Sequence, residues 1–119
     1  MVHVWATWCR PCLEELPSLV KLRKEFSSDG FSLILVSTDD PDDADSLVVP
    51  ALDSAGVGFG SYLYTGKSQD AFIRRLHPDW TGAMPASFIY DRTGRLAGWF
   101  YGERTYESYA SEIDKLLHD

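Results

Sequence analysis

Cysteine is scarce in this chain, with two among 119 residues. A framework of several disulfides is thereby excluded, and at this length a core can form without cross-links. Histidine is almost as rare: His3, His77 and His118 stand singly, without the paired spacing of a metal site. Positive charge is in deficit, since 11 Lys and Arg face 18 Asp and Glu for a formal charge of −7. That is the wrong sign for sequence-independent binding to nucleic acid. No apolar run approaches the ~20 residues that span a bilayer. Internal repeats, low-complexity tracts and charged tails are missing too, which excludes solenoid and disordered classes. What remains, 45% apolar and 24% charged, is the composition of a single globular domain. The opening Met1-Val2-His3-Val4-Trp5 has neither a basic start nor a separate apolar region, so no secretory signal is legible.

Element types alternate along the chain. Val2 to Trp5 is rich in strand formers and runs into Cys9-Arg10-Pro11-Cys12, which reads as strand, turn, helix. Leu13, Leu16, Leu19, Val20 and Phe26 then recur at helical spacing to about Ser27, with Glu14, Glu15, Lys21, Arg23, Lys24 and Glu25 on the other faces. Pro17 predicts a kink near residues 13 to 17. Phe31 to Val36 is a nearly continuous apolar run, the pattern of a buried parallel strand. A helix is expected from about Asp42 to Leu52 despite Pro50, then a glycine-rich loop and a short strand near Tyr62 to Tyr64. Gly56, Gly58 and Gly60 are spaced too evenly for a dinucleotide-binding fingerprint. Ser68 to Leu76 suits a short helix, Ser87 to Tyr90 and Leu96 to Tyr101 an antiparallel hairpin, and Tyr106 to Leu117 a closing amphipathic helix. The sum is an α/β layered domain with a central mixed sheet flanked by helices.

The two cysteines are separated by two residues and fall where a strand gives way to a helix. A sulfur there faces free backbone N–H groups and the positive end of the helix dipole, which favours the thiolate. Cys9 is then the attacking thiol of a disulfide exchange and Cys12, one turn further in, the resolving one. Arg10 adds positive charge beside the sulfur, and Glu14 and Glu15 oppose it. A purely stabilising bridge is the competing reading, although so short a loop constrains the unfolded chain little. A metal site would need two further ligands.

Trp5-Ala6-Thr7-Trp8-Cys9-Arg10-Pro11-Cys12, followed by Glu15, Leu16 and Pro17, resembles the active-site stretch of thioredoxin-fold proteins of the TlpA/ResA type. Gly82-Ala83-Met84-Pro85-Ala86-Ser87-Phe88-Ile89-Tyr90-Asp91-Arg92-Thr93-Gly94 resembles the later loop and hairpin of that family. The resemblance covers nearly all of residues 2 to 117. It implies a thioredoxin-like fold with a family-type insert before a cis-proline at Pro85, and a backbone contact from Met84 to a substrate polypeptide. It implies a thiol–disulfide oxidoreductase, most plainly a protein disulfide reductase, that needs no cofactor. The partners would be a disulfide-bearing protein and a dithiol electron donor, in an extracytoplasmic, periplasmic or outer-face setting; oligomeric state is left open.

The match departs from the family at two places. The position six before the first cysteine, acidic in thioredoxin and commonly Asn in the TlpA type, is His3, either a proton carrier for Cys12 or a residue paired structurally within the sheet. About 20 to 30 residues of an opening strand and helix are expected to be missing, leaving an uncovered edge beside Val2 to Trp5 or its neighbour. Trp8 and Trp80 are candidates for an apolar rim around the substrate, whereas Phe59, Tyr62 and Tyr64 read as core. Two other functions compete with the oxidoreductase. One is a non-catalytic binding module; the other is a peroxiredoxin-like peroxidase, which is disfavoured because Ala6 stands where peroxiredoxins carry Thr or Ser.

Overall fold

Val2–Trp5 forms β1, and its last three residues are buried. Such complete burial requires cover on both sheet faces and neighbours on both edges. The computed structural model, which describes residues 1–118, supplies both. β2 (Ile34–Ser37) runs parallel to β1 on one side, and β4 (Ala86–Tyr90) runs antiparallel to it on the other. β3 (Tyr62–Leu63) and β5 (Leu96–Tyr101) are the outer strands, giving the order β3-β2-β1-β4-β5. This is the mixed sheet expected, with β4 and β5 as its antiparallel hairpin.

Strand alternation sends Trp5, Leu35, Ile89 and Phe100 to one face, where α1 (Arg10–Phe26), α2 (Val49–Ser54) and α4 (Tyr106–His118) cover them. Val4, Ala86 and Phe88 face the other side and pack with Ile73 of α3 (Gln69–Leu76) and Trp80. α3 starts where predicted because Ser68 caps it, its hydroxyl accepting from the Ala71 N–H at 3.2 Å.

Of two alternatives for the uncovered edge the structure selects the second, and two other expectations change. β1 is central, so its own edges are both paired, and the thinly covered edge belongs to its neighbour: β3 meets β2 only at Val36 and Ser37. The strand predicted over Phe31 to Val36 begins at Ile34, because the Phe31 N–H is turned back onto the Phe26 carbonyl. The helix predicted from Asp42 to Leu52 is split into a 3₁₀ turn at Pro41–Asp43, a π turn at Ala44–Val48 and α2. Pro50 sits in the first turn of α2, where its missing N–H deprives the helix of nothing. α1 runs through Pro17 as one helix of 17 residues.

Candidate functional site

Cys9 is the N-cap of α1, with extended backbone and no side chain satisfying the first-turn N–H groups. Pro11 follows inside that first turn, so one donor is deleted and the others point toward the cap. Cys9 and Cys12 are joined as a disulfide with Cα atoms 5.3 Å apart. Cys9 keeps 8% of its surface exposed and Cys12 none, so of the two cysteines only the first reaches solvent. Arg10 points into solvent and donates to Glu14 at 3.2 Å, so the two flanking charges largely answer each other. Trp8 is 60% exposed beside the pair. It walls a cavity of about 360 Å³ with Asp39, Asp40, Tyr64 and Lys67.

The β1–β4 register places Val4 opposite Ala86, so the loop after β1 and the residues before β4 lie at the same end of the sheet. The Met84–Pro85 bond is cis, with Met84 half-buried against the core cluster that holds both cysteines. Trp80 is buried and so is not a substrate rim; its indole N–H donates to the Ala83 carbonyl at 2.9 Å. Of the insert aromatics, Phe59 packs under Arg23 and Tyr64 stacks on Phe72, but Tyr62 is exposed. It lies on an outer strand of the sheet.

His3 is buried completely; its hydrogen-bond partner is Ser87, and Glu15 lies beside a ring nitrogen that makes no hydrogen bond. Its Nδ1 lies 2.7 Å from Ser87 Oγ, and its Nε2 lies 3.5 Å from Glu15 Oε1. Ser87 Oγ continues to the Tyr109 hydroxyl at 3.1 Å, and that hydroxyl donates to Glu15 Oε1 at 2.6 Å. The Arg104 N–H closes the set onto Glu15 Oε2 at 2.7 Å. Burial drives the His3 pKa down to about 3, which keeps the ring neutral. Burial raises the Glu15 pKa, with the Tyr109 and Arg104 hydrogen bonds opposing, and raises that of Tyr109 well above the usual phenol.

Glu15 belongs to the charged residues expected away from the apolar face of α1, yet it is 2% exposed. Helical spacing carries the signal: Cys12, Glu15, Leu16 and Leu19 share one face, and all four are buried. Ser87 and Tyr109 gave no such signal, because their partners lie far along the chain. Replacing Tyr109 with Phe keeps the ring but leaves buried partners at Ser87 and Glu15 unsatisfied, so a loss of about 1–3 kcal/mol in urea unfolding is expected. An unchanged midpoint would show that the network adds nothing to stability.

The chain as a whole is similar to known proteins. The chain is 25% identical over 115 residues to the thiol-disulfide oxidoreductase ResA of Bacillus thuringiensis, covering 97% of this chain and 61% of that one. It is 30% identical over 119 residues to the thiol:disulfide interchange protein HelX of Rhodobacter capsulatus, covering 98% and 60%. The chain thus spans about three-fifths of the length of these relatives. The crystal structure of a secreted thiol-disulfide isomerase from Corynebacterium glutamicum superposes with a TM-score of 0.81 at 19% identity, covering 99% of this chain and 70% of that one. Residues 1–98, from β1 through the first half of β5, match the AhpC/TSA family. With the thioredoxin-like sheet order and the disulfide at the head of α1, this match makes the chain a member of the AhpC/TSA thioredoxin-like family, with relatives of the TlpA/ResA type.

Proposed function

We propose that the chain is a thiol–disulfide oxidoreductase that reduces protein disulfides through the Cys9–Cys12 couple. The observation that carries this reading is the disulfide at an uncapped helix N-terminus, with one sulfur accessible and the other sealed. In the reduced state the Cys9 thiolate, favoured by the α1 dipole, attacks one sulfur of a substrate disulfide and expels the other as a thiolate. Cys12 then loses its proton and attacks the Cys9 sulfur; the substrate leaves with its second thiolate, and Cys9–Cys12 is oxidised by two electrons. A dithiol donor returns those electrons. Trp8 and the backbone at Met84 and Pro85 form the substrate edge in this reading, an extended peptide adding beside Met84. Glu15, one turn beyond Cys12 on the same buried face and with His3 beside it, is the group that exchanges the Cys12 proton in this reading. Relatives named as interchange proteins, and one named as secreted, support an extracytoplasmic setting.

Equilibration against a glutathione buffer series tests the reading. A single two-electron transition near about −270 mV supports a reductase, and one near about −120 mV an oxidant. The absence of any defined transition would leave a binding module in its place.

A further inference from the structure

The loop between β1 and the nucleophile is held by one carboxylate from the neighbouring strand. Asp39, two residues past β2, is 4% exposed. Its Oδ1 and Oδ2 accept from the Thr7 N–H at 3.2 and 3.0 Å, its Oδ1 from the Thr7 hydroxyl at 2.5 Å, and its Oδ2 from the Ser37 hydroxyl at 2.6 Å. Both oxygens are acceptors throughout, the pattern of a carboxylate. All of these donors are neutral, and among the described residues no cation comes within ion-pair distance of Asp39. Asp40 and Lys67 line the same cavity as Asp39, beside Trp8. A buried anion therefore grips Thr7, and two residues of chain, at most about 7 Å, separate Thr7 from Cys9.

We infer that Asp39 is a positioning residue that fixes the Thr7–Trp8 turn and, through its uncompensated charge, holds the Cys9–Cys12 couple toward the disulfide, making the reduced protein a stronger reductant. This rests on the oxidoreductase reading. Reduction creates a thiolate at Cys9, and a nearby fixed anion disfavours that charge while leaving the neutral disulfide untouched. The helix dipole pulls the other way, so the two effects together set the poise.

The test is the equilibrium of the wild type, Asp39→Asn and Ser37→Ala with the glutathione couple, together with the Cys9 thiol pKa read from alkylation rate against pH. Asp39→Asn removes the charge and keeps an acceptor for Thr7. The disulfide should become about tenfold easier to reduce, an increase of about 30 mV, with a lower Cys9 pKa. That size is expected for a unit charge about 10 Å away at an effective dielectric of about 20. Ser37→Ala removes a neutral donor and leaves the anion less compensated, so it should move the equilibrium about two- to threefold in the opposite direction. A clamp with no electrostatic role would move both variants the same way, and that result, or an Asp39→Asn change below twofold, overturns the proposal. If Asp39→Asn does not fold, the sign of the Ser37→Ala shift decides. A wild type without a two-electron transition would instead remove the oxidoreductase reading beneath it.

Discussion

Substituting Cys12 with Ser is expected to stop turnover at the mixed disulfide, so that a disulfide-bonded peptide incubated with the reduced variant accumulates as a covalent adduct on Cys9. The partition of exposure makes this asymmetric. Cys9 presents its sulfur at the head of α1, whereas Cys12 is sealed beneath it. Cys9→Ser should therefore lose reductase activity to the uncatalysed background and form no adduct through Cys12. Both variants keep nearly the volume of the original side chain, and the bridge they remove closes a short loop, so the fold should survive. Intact-protein mass spectrometry reads the adduct, and peptide thiol release reads turnover. Turnover retained by Cys9→Ser, or an adduct found on Cys12 instead, would contradict the assignment. A peptide that binds Cys9→Ser as tightly as wild type, when the wild type itself releases no thiol, would point to a binding module.

The second large effect is on stability, and it comes from the buried pair His3 and Glu15. In the unfolded chain Glu titrates near about 4.3 and His near about 6.5. Folding pushes His3 down to about 3 and Glu15 up. The His3 contribution to stability is complete above its unfolded pKa and is lost as pH falls toward its folded value. The Glu15 contribution has the reverse sense, complete below its unfolded pKa and lost as pH rises through its folded value. Between these unfolded values, folding takes a proton from His3 and puts one on Glu15, up to the folded pKa of Glu15. The two slopes then cancel, and this pair contributes a plateau in the wild type.

Glu15→Gln removes one side of that balance. Its stability should fall by about 1.4 kcal/mol per pH unit below pH ~6.5, reaching about 4–5 kcal/mol near pH 3. His3→Asn should tilt the other way and gain stability on mild acidification relative to wild type. Urea unfolding of the three proteins at several pH values isolates the pair from carboxylates common to all. Parallel curves for wild type and Glu15→Gln above the unfolded Glu pKa would mean that folding does not put a proton on Glu15.

Most of the scaffold could be read from residue order, because the signals were local. β1, α3, β4 and β5 are bounded by short runs of strand formers, a serine cap and a turn at Asp91 to Gly94, each complete within a few residues. The stretch from Pro41 to Ser54 was misread because it passes through three helical hydrogen-bond patterns in succession, and apolar spacing averages over them. In the site, the cysteines announced themselves through spacing and context. Their supports did not. Asp39 meets Thr7 across 32 residues, and Tyr109 meets Glu15 across 94, so neither partnership leaves a trace in a local window.

The central position of β1 has a consequence for how the protein comes to exist. Its first partner strand lies some thirty residues downstream, and its other, beginning at Ala86, is reached only after most of the chain has been made. The cysteine pair closes a local loop, so no distant strand pairing is needed to bring the two sulfurs together. The Met84–Pro85 segment takes its place beside that pair only when a pairing between distant residues is made, the kind that is slow to form. Reactivity can therefore precede selectivity during biogenesis: a nascent thiol pair is free to cross-link with whatever it meets until β4 docks against β1.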